Sequence, residues 1–203
     1  MRASDESPRM FESDFIDGFS RTPWWVVPLV WLPVSGAFGW VGLTEQGGFS
    51  LGLVFATLLG WLAWTFSEYG LHRTLFHWVP ANRFGPQIHF ILHGVHHQWV
   101  KDPYRLVMPP VAALVLAIVL GGSLWGLFAL GGAHMWFWSF FSGFVFGYVV
   151  YDVSHYALHH LRIRNRLFAR LRHHHMQHHH NPRFAERKFG VSTTLWDHIF
   201  RTY

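Results

Sequence analysis

Long apolar runs, interrupted at short polar intervals, organise this chain. Four of them stand out, at about 24–43, 49–67, 109–130 and 133–151. Each approaches the roughly 20 residues that an α-helix needs to cross a hydrocarbon layer about 30 Å thick. The first two runs are separated by the stretch from Gly42 to Gly48, and the last two by little more than Gly131 to His134. Both connections therefore read as tight turns between antiparallel helices. Buried helices of a water-soluble protein can be equally apolar, but four near-spanning runs in 203 residues leave too little polar surface to cover them. The pattern predicts an all-α integral membrane protein with four transmembrane helices. Its membrane-embedded domain covers 24–203, preceded by a short, cytosolic, partly disordered segment over 1–23.

Charge supplies the orientation. All sixteen lysines and arginines lie in 1–21, 73–105 and 162–201, and neither outer turn carries one. By the positive-inside rule both termini and the central polar segment face the cytoplasm. Charged residues make up 13% of the chain and aromatics 19%, with twelve tryptophans, which suits rings lining two membrane interfaces. A sequence pI near 10 follows from the same asymmetry and needs no nucleic acid, for which no reading motif is present. Residues 161–172 alternate arginines with Leu161, Ile163, Leu167, Phe168 and Leu171. That is the pattern of a helix lying in the headgroup layer, held also by anionic lipid. The absence of cysteine excludes disulfides, iron–sulfur clusters and thiol chemistry. Residues 1–21 mix acids with arginines, unlike a secretory signal.

The polar intervals contain the chemistry. Ten of seventeen histidines follow a repeated spacing: His72 and His77; His93, His96 and His97; His155 and His159; His175, His178 and His179. Residues three or four apart share a helix face, whereas adjacent residues point about 100° apart. An HxxHH unit therefore divides its rings between two metals, and the set reads as a two-metal centre. Two spans separate His77 from His155, so all the histidine groups reach the same side of the membrane. His72 and His77, five apart, sit about 140° from each other on a straight helix. Either the helix stops between them or they serve different metals.

Neighbouring groups remain open. Glu68, one turn before His72, either orients that ring or faces water. Asp152 either orients His155, binds metal or marks the helix end at the interface. His160 points to the second metal or to solvent, and His173, His174 and His180 are surplus to the spacing. His89, His134 and His198 read as structural. An all-imidazole set suits iron, zinc, copper or nickel by ligand type. A zinc Lewis-acid site uses about three protein ligands, far fewer than ten. A pair of irons can instead activate dioxygen against an unactivated C–H bond, with lipid as the available substrate. A metal transporter or storage protein is the non-enzyme alternative, but the 24–43 and 109–130 runs hold no histidine or carboxylate along a path.

The run from Ile88 to Pro110, with His93, His96, His97 and then Asp-Pro-Tyr-Arg-Leu-Val-Met-Pro-Pro, closely resembles the fatty acid hydroxylase superfamily, in its fatty acid 2-hydroxylase branch. His72-x4-His77, the block from Tyr151 to His160, and His175-x2-His178-His179 followed by Phe189-Gly-Val and Trp196-Asp-x-Ile-Phe agree with it, over about 60–203. The resemblance implies a four-span protein with a cytosolic helical cap and ligand roles for the ten histidines. It also implies two iron ions, with zinc found in some family structures, and insertion of one oxygen atom from O2 at C2 of an acyl chain. Asp102, Tyr104 and Arg105 lie near the substrate entrance by this analogy, or else fix the loop before the third helix. Desaturases and sterol or carotenoid hydroxylases share similar histidine spacing and are the mechanistic alternative. Many eukaryotic members carry a fused cytochrome b5 domain with a His-Pro-Gly-Gly motif, which does not occur here. The expected electron donor is thus a separate cytochrome b5-like protein, or a ferredoxin with its reductase. The ending Arg-Thr-Tyr lacks a retrieval signal, and a prokaryotic inner membrane is expected in preference to the endoplasmic reticulum.

Overall fold

The computed structural model describes residues 7–203, and among them every regular element is helical. These are α1 (Asp14–Phe19), α2 (Val26–Glu45), α3 (Leu51–Leu71), α4 (Gly85–His89), α5 (Val95–Gln98), α6 (Pro110–Leu130), α7 (Phe137–His160), α8 (Arg166–His180) and α9 (Leu195–Ile199). A π turn, His72–Phe76, extends α3, and a second, Phe90–Gly94, joins α4 to α5. The chain forms two compact units. One contains the described residues up to Trp24, with Thr65–Val107 and Tyr151–Tyr203; the other contains Trp25–Trp64 and Met108–Val150.

Three helices have the length and apolar composition to cross a membrane: Val26–Glu45, Leu51–Phe76 with its π turn, and Pro110–Leu130. The run expected at 133–151 differs. A 3-10 turn at His134–Trp136 precedes α7, which starts at Phe137 and continues to His160. It is not among the three. Its composition is more polar, with Ser139, Ser142, Tyr148, Tyr151 and Asp152 along it, and Phe137, Phe140, Phe141, Phe144, Val145, Tyr148 and Val149 are all buried, as are Ser139 and Ser142. A helix enclosed by protein can carry hydroxyls and small residues that a lipid-facing helix does not select.

In this second unit the helices approach closely. A Cβ at Gly60 would overlap the Phe140 carbonyl, and one at Gly143 would overlap the Thr57 carbonyl, so α3 and α7 meet backbone to backbone. Ser35 Oγ donates to the Ser142 carbonyl at 2.9 Å and Ser142 Oγ donates to the Ser35 carbonyl at 2.8 Å, a reciprocal pair between α2 and α7. Trp64 packs edge-on against Phe144 and Tyr148, with centroids 5.1 and 5.3 Å away.

In the first unit the N-terminal segment, expected to be a partly disordered leader, is folded from residue 7 onward. Its first six residues lie outside the described residues. Asp17, buried on α1, accepts bonds from the Met10 amide (2.7 Å), Arg21 Nε (3.0 Å) and Arg105 Nη2 (2.7 Å). Ser7 Oγ donates to Asp102 Oδ2 at 2.7 Å, and the Thr22 amide donates to the Tyr104 carbonyl at 2.7 Å. Asp102 also accepts the Tyr104 amide at 2.9 Å. Asp102 and Arg105 thus fix the loop before α6 and clamp the N-terminal segment to it, and Tyr104 contributes backbone while its side chain is exposed.

This clamp is pH-dependent. Burial raises the Asp17 carboxyl, but bonds from the Met10 amide, Arg21 and the Phe11 amide, with the Arg105 charge, outweigh it and bring the pKa from 3.8 down to about 2. A depressed folded-state pKa gives stability that is present above about 3.8 and lost as pH falls towards about 2. Protection of the Met10 and Phe11 amides against hydrogen exchange, taken relative to the intrinsic rate at each pH, should be high at neutral pH and fall across that window. In Asp17→Asn, protection should be low already at neutral pH; unchanged protection would contradict the clamp.

α8 begins only at Arg166, capped by Asn165 Oδ1, which accepts the Leu167 and Phe168 amides at 2.9 and 3.2 Å. The amphipathic helix expected over 161–172 therefore starts later and runs on to His180, with 161–165 non-helical. Leu161, Ile163 and Leu167 remain exposed beside the arginines.

Candidate metal centre

Four chain segments bring the ten spaced histidines together in the first unit. The first group is His72, His77, His93, His97 and His178; the second is His96, His155, His159, His175 and His179, with the ligand atoms of each group within 4.8 Å of one another. The adjacent pairs split as helix geometry requires. His96 and His97 fall in different groups, and so do His178 and His179.

His72 and His77 fall in the same group, by neither of the two expected routes. The helix does not stop between them; it widens. The His77 amide bonds to the His72 carbonyl at 3.3 Å, closing an i to i+5 turn that places residues five apart on one face. Within the first group, Nε2 of His93 lies 3.0 Å from that of His72 and 2.9 Å from that of His97. Nε2 of His178 lies 3.1 Å from that of His77 and 3.2 Å from that of His97. In the second, Nε2 of His179 lies 3.1 Å from that of His96 and 3.0 Å from that of His175, which is 2.9 Å from that of His159. His155 packs edge-on against His96 and His175, with centroids 4.6 and 4.7 Å away.

These separations fit metal. Nitrogens bound at about 2.1 Å to one ion, at right angles, are about 3 Å apart. His155 is buried with neither ring nitrogen hydrogen-bonded to protein, an arrangement that is costly unless something else takes its lone pair. Burial pushes His77 and His178 down to about 4 and His97 to about 2, helped by neighbouring imidazoles. The same causes hold His93, His96, His175 and His179 well below the ordinary histidine value. Neutral rings keep the lone pairs that a cation needs.

The remaining histidines lie elsewhere. His174 is buried and bonds Asp197 Oδ2 at 2.9 Å. His160 stacks on Tyr156 with centroids 4.5 Å apart, and His173 and His180 are exposed. His134 is exposed in the 3-10 turn, His198 stacks on Tyr203 at 4.0 Å, and His89 lies 6.4 Å from the His77 ring.

Glu68 neither faces water nor touches the His72 ring. It is buried and accepts the Val191 and Ser192 amides at 3.1 and 2.8 Å and Ser192 Oγ at 2.6 Å. The His72 ring is instead oriented by the Phe189 carbonyl, 2.6 Å from Nδ1, and His178 Nδ1 lies 2.7 Å from the Arg187 carbonyl. Backbone partners leave no trace in side-chain spacing, so these two were invisible to it. Asp152 is buried one turn before His155.

The model that describes the fatty acid hydroxylase family matches residues 57–202 of this chain. A dihydroceramide fatty acyl 2-hydroxylase of Arabidopsis thaliana is 38% identical over 198 residues, 97% of this chain and 80% of its own. A ceramide very long chain fatty acid hydroxylase of Saccharomyces cerevisiae is 37% identical over 94% of this chain and 48% of its own. Human fatty acid 2-hydroxylase is 36% identical over 96% of this chain and 56% of its own. A solved structure of full-length Scs7p, with only the hydroxylase domain visible, matches with a TM-score of 0.84 at 37% identity, covering 94% of this chain and 70% of that one. These relatives are eukaryotic, which counts against the expected preference for a prokaryotic membrane.

Proposed function

The chain belongs to the fatty acid hydroxylase family, and on that premise we propose that it is a membrane monooxygenase hydroxylating lipid acyl chains at C2, with two iron ions and O2. The acyl chain is that of a fatty acid or of an N-acyl, ceramide-like lipid, as the names of its relatives suggest. One observation carries the reading: ten spaced histidines gather as two groups of five in a chain of this family.

Bound there, iron supplies dioxygen activation and an oxidant able to break an unactivated C–H bond. The chain's own residues supply an exclusively imidazole donor set, largely buried, with two of its rings held by backbone carbonyls. Zinc suits the same nitrogens but has no redox chemistry, so protein purified with zinc is expected to be inactive. The electrons come from a separate donor, a cytochrome b5-like protein or a ferredoxin with its reductase.

The α7 helix is the fourth span in this reading, and the histidine-bearing segments and both termini are cytosolic. Reporters at residue 46 and at the C-terminus should then fall on opposite sides of the membrane; reporters on the same side would reject the topology.

The activity is tested by expression in a host that lacks 2-hydroxylated lipids, followed by mass spectrometry of the whole lipid extract. The expected products are acyl chains one oxygen heavier, with fragmentation placing the hydroxyl at C2. A new double bond, or a hydroxyl elsewhere on the chain or on a sterol, would overturn the assignment.

A further inference from the structure

Two buried carboxylates hold one short strap of backbone against the first histidine group. The strap is residues 187–192. Its Arg187 and Phe189 carbonyls lie 2.7 and 2.6 Å from Nδ1 of His178 and His72. A carbonyl can only accept, so each Nδ1 carries the proton and each Nε2 keeps its lone pair. The other side of the strap turns four successive amides to the carboxylates. The Phe189 and Gly190 amides donate to Asp197 Oδ1 and Oδ2 at 3.0 and 2.8 Å. The Val191 and Ser192 amides both donate to Glu68 Oε1.

Asp197 is itself anchored. It accepts Thr202 Oγ1 at 2.7 Å and His174 Nε2 at 2.9 Å. The Thr202 carbonyl accepts the Lys188 amide at 2.8 Å, holding Lys188 at φ 60°, a left-handed conformation that a lysine keeps only where its surroundings impose it. The second histidine group is built differently. Nδ1 of His96, His155, His175 and His179 has no protein partner among the described residues.

We propose that Asp197 and Glu68 are positioning residues for the metal of the first histidine group, acting through the backbone of residues 187–192, and that they set its affinity without setting that of the second. The inference rests on reading the two groups as two metal sites. Residues that orient a metal-binding imidazole typically contribute about 10–100-fold to metal affinity. Here the orientation is relayed through a peptide unit: Asp197 fixes the Gly190 amide, the planar peptide ties that amide to the Phe189 carbonyl, and that carbonyl fixes the His72 ring.

The test titrates the metal-depleted full chain with cobalt(II) against a competing chelator, following the ligand-field absorption of each site. Wild type should bind two equivalents; if it does not, the two-site reading fails, separately from this proposal. Asp197→Asn keeps the side chain's shape but sets an amide NH2 against the Phe189 or Gly190 N–H. It should weaken one of the two constants about 10–100-fold and leave the other unchanged. Adding His72→Ala should abolish that weakened constant alone, and adding His175→Ala should abolish the other. Equal weakening of both constants, or neither, in protein that melts like wild type would overturn the proposal. Should Asp197→Asn not fold, Thr202→Val decides in its place: it removes one bond to Asp197 and should weaken the same constant, and unchanged affinity would overturn the proposal. Glu68→Gln should act on that same constant.

Discussion

Replacing His97 by alanine should empty one metal site and spare the other, and replacing His96 should do the reverse. Although adjacent in the chain, the two rings leave their helix in different directions. His97 Nε2 is 2.9 Å from His93 and 3.2 Å from His178, both in the first group. His96 Nε2 is 3.1 Å from His179 in the second. Each variant should retain one metal per chain where wild type should hold two, and each should lower acyl hydroxylation by at least about a hundredfold, since losing a ligand costs more than losing the group that orients one. Element analysis of the purified protein, with lipid products from the same cells, reads both. His134→Ala, in an exposed turn, should change neither. Loss of both metals in each single variant would mean that the groups are one coupled site, and full retention would reject the ligand assignment.

The second large effect lies in the helix packing. Gly143→Ala should destabilise the protein by about 1–3 kcal/mol or more, the cost of overpacking a tight contact, because the new methyl meets the Thr57 carbonyl and backbone cannot swing aside. Gly60→Ala meets the Phe140 carbonyl and should behave alike. Gly126→Ala is the control. A Cβ there has nothing within 4 Å, and alanine is favoured over glycine inside a helix by about 1 kcal/mol. Thermal melts in detergent should fall for the first two variants and hold or rise for the third. Equal melting of all three would mean that α3 and α7 are not in backbone contact.

Much of the site was legible because helix periodicity converts spacing into direction. The split of His96 from His97, and of His178 from His179, follows from 100° per residue alone. The same rule misled at His72 and His77, where a π turn replaces the α geometry from which the angle was calculated. Three of the apolar runs became helices within a few residues of their expected limits, each long and apolar enough to cross a membrane. The fourth began later, after a 3-10 turn at His134–Trp136, and continued to His160 through a more polar stretch that no apolar run could mark.

What stayed hidden depends on partners distant in sequence. Asp17 pairs with Arg105 across 88 residues, so the acids and arginines of the N-terminal segment looked like a solvated leader. Glu68 was recognisable as a carboxylate one turn from a histidine, but not as a clamp on Val191 and Ser192, 123 and 124 residues away. The Arg187 and Phe189 carbonyls belong to the backbone, which every residue has, so no side-chain pattern distinguishes them.

In the proposed reaction this chain inserts oxygen from O2 into an acyl chain at C2. Cells expressing it, grown under 18O2 in ordinary water, should yield 2-hydroxy acyl chains with one 18O atom at the new hydroxyl, absent from His97→Ala cells. A hydroxyl that takes its label from 18O-water instead would contradict the account.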